Sequence, residues 1–267
     1  MRKITIVMSI VLILVLLQIT LVVPVFGITQ ATPDTNNTYS NVAFWTSPDW
    51  PGFCSGILIA PTVFLTAGHC LSWNIGVNAP IFLTFDKQFT SPEEVNWILA
   101  ENFYVHPLFG HDQANLYDLA VIILPEGSTE GLTPATLTTA GLLDDLSEHG
   151  NLREVEFTSV GYGAQADWEQ GPTQWFWDGW RNYASAPLMA LTPTQLYLNI
   201  NEHATGGGGA CYGDSGGPIF LPLGGENILV GFTTLRSDMN CRAMTTYYRL
   251  DTPWSREFLS QFGVPLP

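Results

Sequence analysis

Basic residues are scarce in this sequence of 267 residues, and lysine is the scarcest of them. Nine Lys and Arg residues stand against 24 Asp and Glu residues, which gives a formal net charge of −15 at pH 7. Lys87 is the only lysine after the third residue. Nucleic acids and anionic membranes attract basic patches, so neither is expected as a partner. The acidity itself favours solubility.

Cysteine is also sparse, with four residues at positions 54, 70, 211 and 241. No Cys-x-x-Cys pair is present, and the histidines show no metal-ligand spacing, so we expect neither a metal nor a cofactor. In an exported chain an even cysteine count predicts disulfides, and four cysteines allow three connectivities. Their positions favour Cys54–Cys70 and Cys211–Cys241. Four histidines lie in polar or proline-containing loops and are expected to be exposed: His106, His111, His149 and His203.

The long apolar run of this sequence lies at its N-terminus. Arg2 and Lys3 precede the run from Ile4 to Val23, and small residues up to Gly27 suit a signal peptidase. This pattern predicts a signal peptide over residues 1–27 and a secreted, extracellular protein. The alternative is a membrane anchor, because about 20 apolar residues can span a bilayer. The lack of a basic stop-transfer cluster after the run favours cleavage.

The remainder alternates short apolar runs with Gly, Pro, Asn and Ser. Many short strands at such spacing predict an all-β sandwich or barrel. A C-terminal helix is predicted with Thr252 as its cap and Pro253 in its first turn, and the turn-rich stretch from Glu126 to Gly150 suits a join between two halves. The apolar runs are Gly56–Ala60, Val63–Thr66, Ile81–Phe85, Leu119–Leu124, Val155–Val160, Leu196–Ile200, Ile228–Thr234 and Tyr247–Leu250.

Three segments carry residue types that can do chemistry. His69 follows a predicted strand in a small-residue turn, Asp118 precedes a fully apolar run, and Ser215 lies in a glycine-rich stretch. Each alone has a structural explanation: a structural histidine, a solvated cap or a turn. A serine hydroxyl, however, becomes a good nucleophile only when an imidazole takes its proton and a carboxylate orients that imidazole. We therefore predict Ser215 as nucleophile, His69 as base and Asp118 as its orienting acid.

Glycines beside the serine have a separate role. A backbone without Cβ can turn sharply enough to aim two amides at one point. The amides of Gly213 and Ser215 are therefore predicted to form an oxyanion hole for a tetrahedral intermediate.

In chain order, the strings LTAGHC, DLAVIIL and CYGDSGGP resemble the signatures of chymotrypsin-like serine proteases. The resemblance runs from about Ile28 to the C-terminal helix. It implies two antiparallel β-barrels, with His69 and Asp118 on an N-terminal barrel over residues 28–135 and Ser215 on a C-terminal barrel over residues 136–267. Disulfides common in animal members are missing, which indicates a bacterial-type relative.

The resemblance also implies an activation step. In this family a new N-terminal amine pairs with the Asp before the nucleophile, and the ion pair orders the oxyanion hole. Ile28 and Asp214 match this pair, since Ile28 precedes Cys54 by a separation similar to the family's. Cleavage after Gly27 would then both remove the signal peptide and activate the enzyme. The alternative for Asp214 is a capped turn.

Substrate preference is expected to differ from that of trypsins. Gly209 stands where they carry an Asp that pairs with Lys or Arg. The pocket wall is expected at Thr234, Leu235 and Arg236, where the family has Ser-Trp-Gly. Arg236 at the rim would narrow the pocket or attract an acid, which predicts cleavage after small apolar residues or after Glu or Asp. The alternative is that Arg236 points to solvent.

An aromatic cluster lies where the family places loops beside the substrate cleft. Such clusters more often cap a core, so we expect packing here rather than a substrate subsite. Its members are Trp168, Trp175, Phe176, Trp177 and Trp180.

The sequence as a whole predicts a secreted serine endopeptidase that works through an acyl-enzyme. It is expected to act as a monomer on protein or peptide substrates and to be open to protein inhibitors. One alternative is a catalytically silent protease-like binding protein. Another is an esterase that uses the same triad. The presence of all three triad residues and of the glycines favours the protease.

Overall fold

The computed structural model describes residues 28–48, 50–72, 79–89, 91, 93–110, 117–150, 152–167, 174–236 and 240–267. The predicted signal peptide, His111 and Trp168 lie outside these residues, as do the side chains of Trp175, Leu235 and Arg236. Among the described residues, no helix has both the length and the apolar character needed to span a membrane.

The described residues are mostly β-structure with short helices. The strands are β1 Thr32–Pro33, β2 Val42–Ser47, β3 Trp50–Ala60, β4 Val63–Thr66, β5 Phe82–Thr84, β6 Ile98–Leu99, β7 Asn102–Val105, β8 Ala120–Ile123, β9 Glu156–Gly161, β10 Gln165–Asp167, β11 Gln174–Phe176, β12 Asn182–Leu191, β13 Gln195–Asn199, β14 Pro218–Leu223, β15 Glu226–Arg236 and β16 Met244–Arg249. The helices are α1 Gly68–Ser72, α2 Leu142–His149, α3 Glu202–Thr205 and α4 Pro253–Ser260, with a 3₁₀ turn at Leu152–Glu154.

Two seven-stranded sheets form the two halves of the fold, and β10 and β11 pair as a separate two-stranded sheet. Their strand orders are β6-β5-β2-β3-β4-β8-β7 and β1-β12-β13-β16-β15-β14-β9. Strand β12 also pairs with β9, which closes the second sheet on itself. Neighbouring strands run antiparallel. The predicted all-β fold of two antiparallel barrels with a C-terminal helix is confirmed.

Strand prediction succeeded where apolar side chains were continuous. Each of the eight predicted runs overlaps a strand, and β4 matches its run residue for residue. The prediction missed several strands, among them β2, β12 and β14, and the stretch from Glu126 to Gly150, which was predicted to be turn-rich, also contains α2. Thr252 does stand at the N-cap of α4, but its hydroxyl pairs with the hydroxyl of Ser255 rather than with a backbone amide.

Both ends of the described chain pack on the opposite half of the molecule. Near the N-terminal end, Thr32 of β1 pairs with Tyr183 of β12 in the second sheet. At the C-terminal end, the ring of Phe258 in α4 lies 5.0 Å from His106, which follows β7 of the first sheet. These crossings hold the two barrels against each other.

Two buried arginines pair with acids, and the first of these pairs also joins the two halves of the molecule. Arg181 is fully buried, and its Nε donates to Oδ2 of Asp34 over 2.9 Å. Arg249 is also buried and donates to Oδ1 of Asp251 over 2.9 Å, while it also pairs with Asp144 on α2. Paired guanidinium groups of this kind satisfy carboxylates that burial would otherwise destabilise.

Candidate active site

The predicted histidine and acid lie at the same end of two paired strands. Strand β4 pairs with β8 so that Thr66 faces Ala120. His69 follows β4 in α1, and Asp118 precedes β8. The pairing brings Nδ1 of His69 to 2.8 Å from Oδ2 of Asp118. The amide of His69 also donates to Oδ1 of Asp118 over 2.7 Å.

Asp118 is buried, yet its surroundings favour the charged form. Burial raises its pKa, but the charge of His69 and hydrogen bonds from His69 and Thr234 together bring the pKa below its ordinary value. An ionised carboxylate accepts hydrogen bonds, so Nδ1 of His69 carries the proton and Nε2 is the basic nitrogen. This is the tautomer that a general base requires.

Thr234 acts here in a way that the sequence did not indicate. It was predicted to form part of the pocket wall, and in the structure its hydroxyl donates a hydrogen bond to Oδ2 of Asp118. Thr234 lies near the end of β15, so this contact links the second barrel to an acid carried by the first. The one available signal was its place in the expected pocket wall, which does not indicate the direction of its hydroxyl group.

The turn around Ser215 depends on glycine at two positions. Gly213 has φ +90° and Gly216 has φ +81°, both in the left-handed region that glycine adopts without strain. A Cβ on Gly216 would lie 2.2 Å from Oγ1 of Thr66 and 2.5 Å from the carbonyl oxygen of Ser55. A side chain therefore cannot be accommodated where the turn meets the first barrel.

Hydrogen bonds fix this turn on both flanks. The amide of Ser55 in β3 donates to the carbonyl oxygen of Ser215 over 2.9 Å, and the amide of Gly216 donates to Thr233 of β15 over 2.7 Å. Within the described part of the chain, the amides of Gly213 and Ser215 donate no hydrogen bond. Two such neighbouring N–H groups can receive an oxyanion.

A disulfide sulfur connects the serine and histidine segments. Sγ of Cys70 lies 3.7 Å from Nε2 of His69 and 3.9 Å from the carbonyl oxygen of Ser215. Both predicted disulfides are confirmed, Cys54–Cys70 and Cys211–Cys241. Cys54, His69 and Cys70 form a close group of metal-ligating residue types, but the disulfide removes the thiolates that a metal would need.

Asp214 is fully buried beside the serine. Its Oδ1 accepts from the amide of Gly163 and its Oδ2 from the amide of Cys211, each over 2.8 Å. Burial raises its pKa to about 7, against the opposing effect of these two hydrogen bonds. A Cβ on Gly161 or Gly163 would lie 2.1 or 2.3 Å from its carboxylate oxygens, so glycine is needed at both positions.

The segment that begins at Ile28 is also buried in the second barrel. Ile28 is fully buried, and the amide of Thr29 donates to the carbonyl oxygen of Gly209 over 3.1 Å. The amide of Gly209 returns a hydrogen bond to Oγ1 of Thr29 over 3.2 Å. The start of the described chain is therefore held next to the segment that leads to Ser215.

The surroundings of Gly209 are filled rather than open. A Cβ on Gly209 would lie 2.4 Å from Cγ2 of Ile200 and 3.4 Å from the hydroxyl of Tyr247. Next to it, the buried hydroxyl of Thr245 donates to the carbonyl oxygen of Ala210 over 3.0 Å. This bond joins β16 to the segment before Ser215 and occupies space between them. The short Cys241–Tyr247 stretch of the sequence gave no reason to assign this contact to Thr245.

The exposure of the other histidines and of the aromatic cluster can be compared with the predictions. His106 was expected to be exposed, which is wrong: it is buried and stacks on the ring of Tyr117 at 4.6 Å. Desolvation by this packing lowers its pKa. His149 is exposed as expected, and so is His203. In the aromatic cluster, Trp177 remains 37% exposed.

Residues 29–254 match the protein family described as Trypsin. Vitamin K-dependent protein C of Rattus norvegicus is 28% identical over 197 residues, which are 68% of this chain but 40% of that protein. Glucanase inhibitor protein 4 of Phytophthora infestans is 28% identical over 218 residues, with 79% of each chain covered.

Among solved structures, HL collagenase superposes on this chain with a TM-score of 0.67 at 18% identity. The superposition covers 88% of this chain and 99% of the collagenase chain. At this identity the likeness concerns the fold.

The raised pKa of Asp214 predicts a pH-dependent stability for the unprocessed chain. Between pH 3.8, its ordinary value, and about 7, folded Asp214 holds a proton that the unfolded chain has released. The free energy of unfolding should therefore fall as pH rises through this window. Urea unfolding at several pH values measures it. Asp214→Asn should flatten the slope, and Asp145→Asn, at an exposed site on α2, should leave it unchanged. An equal slope in wild type and Asp214→Asn would contradict the prediction.

Proposed function

The chain belongs to the trypsin family of serine proteases, and from this premise we propose that it is a secreted endopeptidase with Ser215 as nucleophile, His69 as general base and Asp118 as the acid that orients the base. The observation that carries the proposal is the 2.8 Å contact between Nδ1 of His69 and Oδ2 of the buried Asp118. That contact prepares Nε2 to accept a proton.

In the proposed reaction, Nε2 of His69 takes the hydroxyl proton of Ser215 as Oγ attacks the carbonyl carbon of the peptide. The amides of Gly213 and Ser215 donate to the resulting oxyanion. The imidazolium then protonates the leaving amine, and the acyl group stays on Ser215. Water then attacks the acyl group, with His69 again as general base, and the carboxylic acid product leaves Ser215. Throughout, Asp118 stabilises the imidazolium without taking its proton.

A second candidate function is binding without catalysis. The relative from Phytophthora infestans carries the name glucanase inhibitor protein, so the likeness includes a protein named for inhibition. This chain carries His, Asp and Ser at the three triad positions, together with the glycines of the turn, which supports the enzyme.

A fluorophosphonate probe separates the two functions. The folded, processed protein should be labelled and should cleave peptides. Ser215→Ala should lose the label and at least about 10⁴-fold in kcat/KM, because the nucleophile is gone. Ser147→Ala, at an exposed serine on α2, is the matched control and should behave as wild type. Absence of label on the wild type would favour the binding protein.

We also propose export and activation by one cleavage. A signal peptide over residues 1–27, removed after Gly27, would free the amine of Ile28 to pair with Asp214. Support comes from the burial of both residues and from the lack of a cationic partner for Asp214 among the described residues. The two disulfides suit an exported protein.

N-terminal sequencing of the active secreted protein should read from Ile28. Asp214→Asn, cleaved at the same bond, should lose most of its activity, because the amide cannot form the ion pair that orders the oxyanion hole. An active protein that begins at another residue would refute this proposal. Retention of residues 1–27 would instead support the membrane anchor.

Three further assignments complete the proposal. Residues 28–135 and 136–267 form the two barrel domains, since β2–β8 and β9–β16 fall within these ranges. A bacterial-type relationship is supported by the small number of disulfides, and monomeric action is supported by a proposed site whose residues all come from one chain.

We propose that cleavage follows small apolar residues, with Glu or Asp as the alternative if Arg236 reaches the pocket rim. Gly209 offers no charge for Lys or Arg, while Ile200, Tyr247 and Thr245 fill the space around it. A peptide library should therefore show Ala or Val before the cleaved bond. Arg236→Gly should leave that profile in place if the arginine points to solvent and should widen it if the arginine narrows the pocket. A profile dominated by Lys and Arg would contradict the proposal.

A further inference from the structure

Four polar side chains beside the Ser215 turn form a group with too few partners. We call Gln165, Asp178, Asn182 and Asp214 the acid–amide cluster. Gln165 and Asn182 are fully buried. Both polar atoms of the Gln165 amide, Oδ1 of Asn182 and Oδ2 of Asp178 are buried and have no hydrogen-bond partner among the described residues. Buried polar atoms in proteins are normally paired, so these atoms require an explanation.

Strand pairing brings Asn182 to the side of the sheet on which Asp214 lies. Asn182 of β12 is directly opposite Gly161 of β9. A Cβ on Gly161 would lie 2.1 Å from Oδ1 of Asp214, so this face of the pair meets the buried carboxylate. Directly opposite residues of an antiparallel pair present their side chains on the same face. The amide of Asn182 therefore faces the same interior region as Asp214.

Gln165 and Asp178 reach this region as well. A Cβ on Gly163 would lie 2.3 Å from Oδ2 of Asp214, and Gln165 follows Gly163 by two residues, the spacing that puts side chains on one side of an extended chain. Oδ1 of Asp178 accepts from Nδ2 of Asn182 over 3.3 Å. The charge of Asp178 also contributes to the raised pKa of Asp214, as expected for two acids that lie near each other.

The unpaired atoms of the cluster are oxygens. Nδ2 of Asn182 donates to the carbonyl oxygen of Trp180 over 3.1 Å and to Oδ1 of Asp178, which leaves Oδ1 of Asn182 free. Oδ1 of Asp178 also accepts from the amide of Trp180 over 2.9 Å, which leaves its Oδ2 free. The amide of Gln165 is unpaired at both ends, so it can turn its oxygen toward the other two. Three free acceptors call for a cation or a donor.

The cluster also lacks a positive charge. In the part of the chain that the structure describes, neither Asp178 nor Asp214 forms an ion pair with a basic side chain. Backbone amides already occupy both oxygens of Asp214, so this acid contributes charge rather than a free oxygen. Buried water could satisfy the free oxygens but would not balance the charge. A cation would do both.

We propose that the acid–amide cluster is a calcium site, in which Oδ2 of Asp178, Oδ1 of Asn182 and Oε1 of Gln165 bind the ion and Asp214 adds negative charge. Calcium takes carboxylate and amide oxygens and completes its shell with water. The site goes beyond the proposed function, because no step of peptide cleavage uses these three side chains. If the amine of Ile28 neutralises Asp214, the three oxygens and one negative charge remain for the ion.

The sequence gave no signal of this site. The expectation of no metal rested on the spacing of cysteine and histidine, whereas these donors are oxygens. They also lie on separate segments, with Gln165 in β10 and Asn182 in β12. Only folding brings them together.

The test measures calcium binding by the secreted protein after removal of metal with a chelator. Titration with CaCl₂ in a calorimeter should give a Kd of about 10⁻⁴–10⁻³ M. At about ten times the Kd, CaCl₂ should raise the Tm by about 3 °C. Asp178→Asn keeps the shape of the side chain but removes its charge, so it should weaken calcium binding by at least about tenfold.

Asp86→Asn is the matched control. The carboxylate of Asp86 also accepts from an asparagine, over 2.7 Å from the amide of Asn96, but this pair is exposed. The variant should bind calcium as wild type does. If Asp178→Asn does not fold, Gln165→Met supplies the second variant. Without calcium it should melt at or above the wild-type Tm, because a buried unpaired amide is gone, and it should lose most of the calcium-dependent rise.

Three results would overturn the inference. The first is a wild type that shows neither heat of binding nor a rise in Tm with CaCl₂. The second is equal calcium binding by Asp178→Asn and wild type, or a loss confined to Asp86→Asn. The third is an equal rise in Tm with NaCl at the same ionic strength, which would indicate screening of charge alone. None of these readouts depends on peptide cleavage, so each leaves the proposed function standing, and an inactive protein that binds calcium would refute only the latter.

Discussion

The contact between the Ser215 turn and the first barrel is the constraint on which the rest of the site depends. The turn comes from the second barrel, yet the Ser55 amide holds its carbonyl, and Gly216 fits against Thr66 where a Cβ would lie within 2.2 Å of its hydroxyl oxygen. His69 follows the same strand as Thr66. A small shift between the barrels would therefore move the serine relative to the histidine, so the packing of the barrels is itself part of the site.

The packing of the two barrels is stabilised by the chain ends, because each end packs on the barrel formed by the other half of the chain. Strand β1 joins the second sheet, and α4 lies on the first. The ion pair of Asp34 and Arg181 adds to this, because Arg181 begins the approach to β12 while Asp34 directly follows β1. Removal of either partner would leave a buried charge without compensation, which costs several kcal/mol. Each barrel therefore contacts, at its surface, a segment from the half of the chain that forms the other barrel.

The sequence was informative wherever a local pattern determines local structure. Continuous apolar runs identified strands such as β4 and β8, and the strand ends then located His69 and Asp118. Glycines before and after Ser215 indicated a tight turn, since few other residues adopt its φ angles. These features could be read because neighbours in sequence are sufficient to produce them.

What the sequence could not supply was long-range contact. The hydroxyl of Thr234 reaches Asp118 across 116 positions, and Trp177 reaches Tyr162 and Phe53 only after the chain has folded. His106 was predicted wrongly for the same reason, because its loop looks polar but Phe258, near the C-terminal end of the chain, covers it.

Strand β12 was missed because Asn182, Ser185 and Pro187 interrupt its apolar pattern. Its pairing with β9 and β13 overrides that weak strand propensity.

Because basic residues are scarce, only some of the buried acids are paired with a basic side chain. Among the described residues, four aspartates are buried: Asp34, Asp118, Asp214 and Asp251. Asp34 and Asp251 have arginines, and Asp118 has His69. Asp214 has backbone amides alone, and burial raises its pKa. The acid adjacent to the serine is therefore the one that still lacks a cation. A positive charge beside it would stabilise a carboxylate that burial otherwise keeps protonated, which is the role proposed for the amine of Ile28.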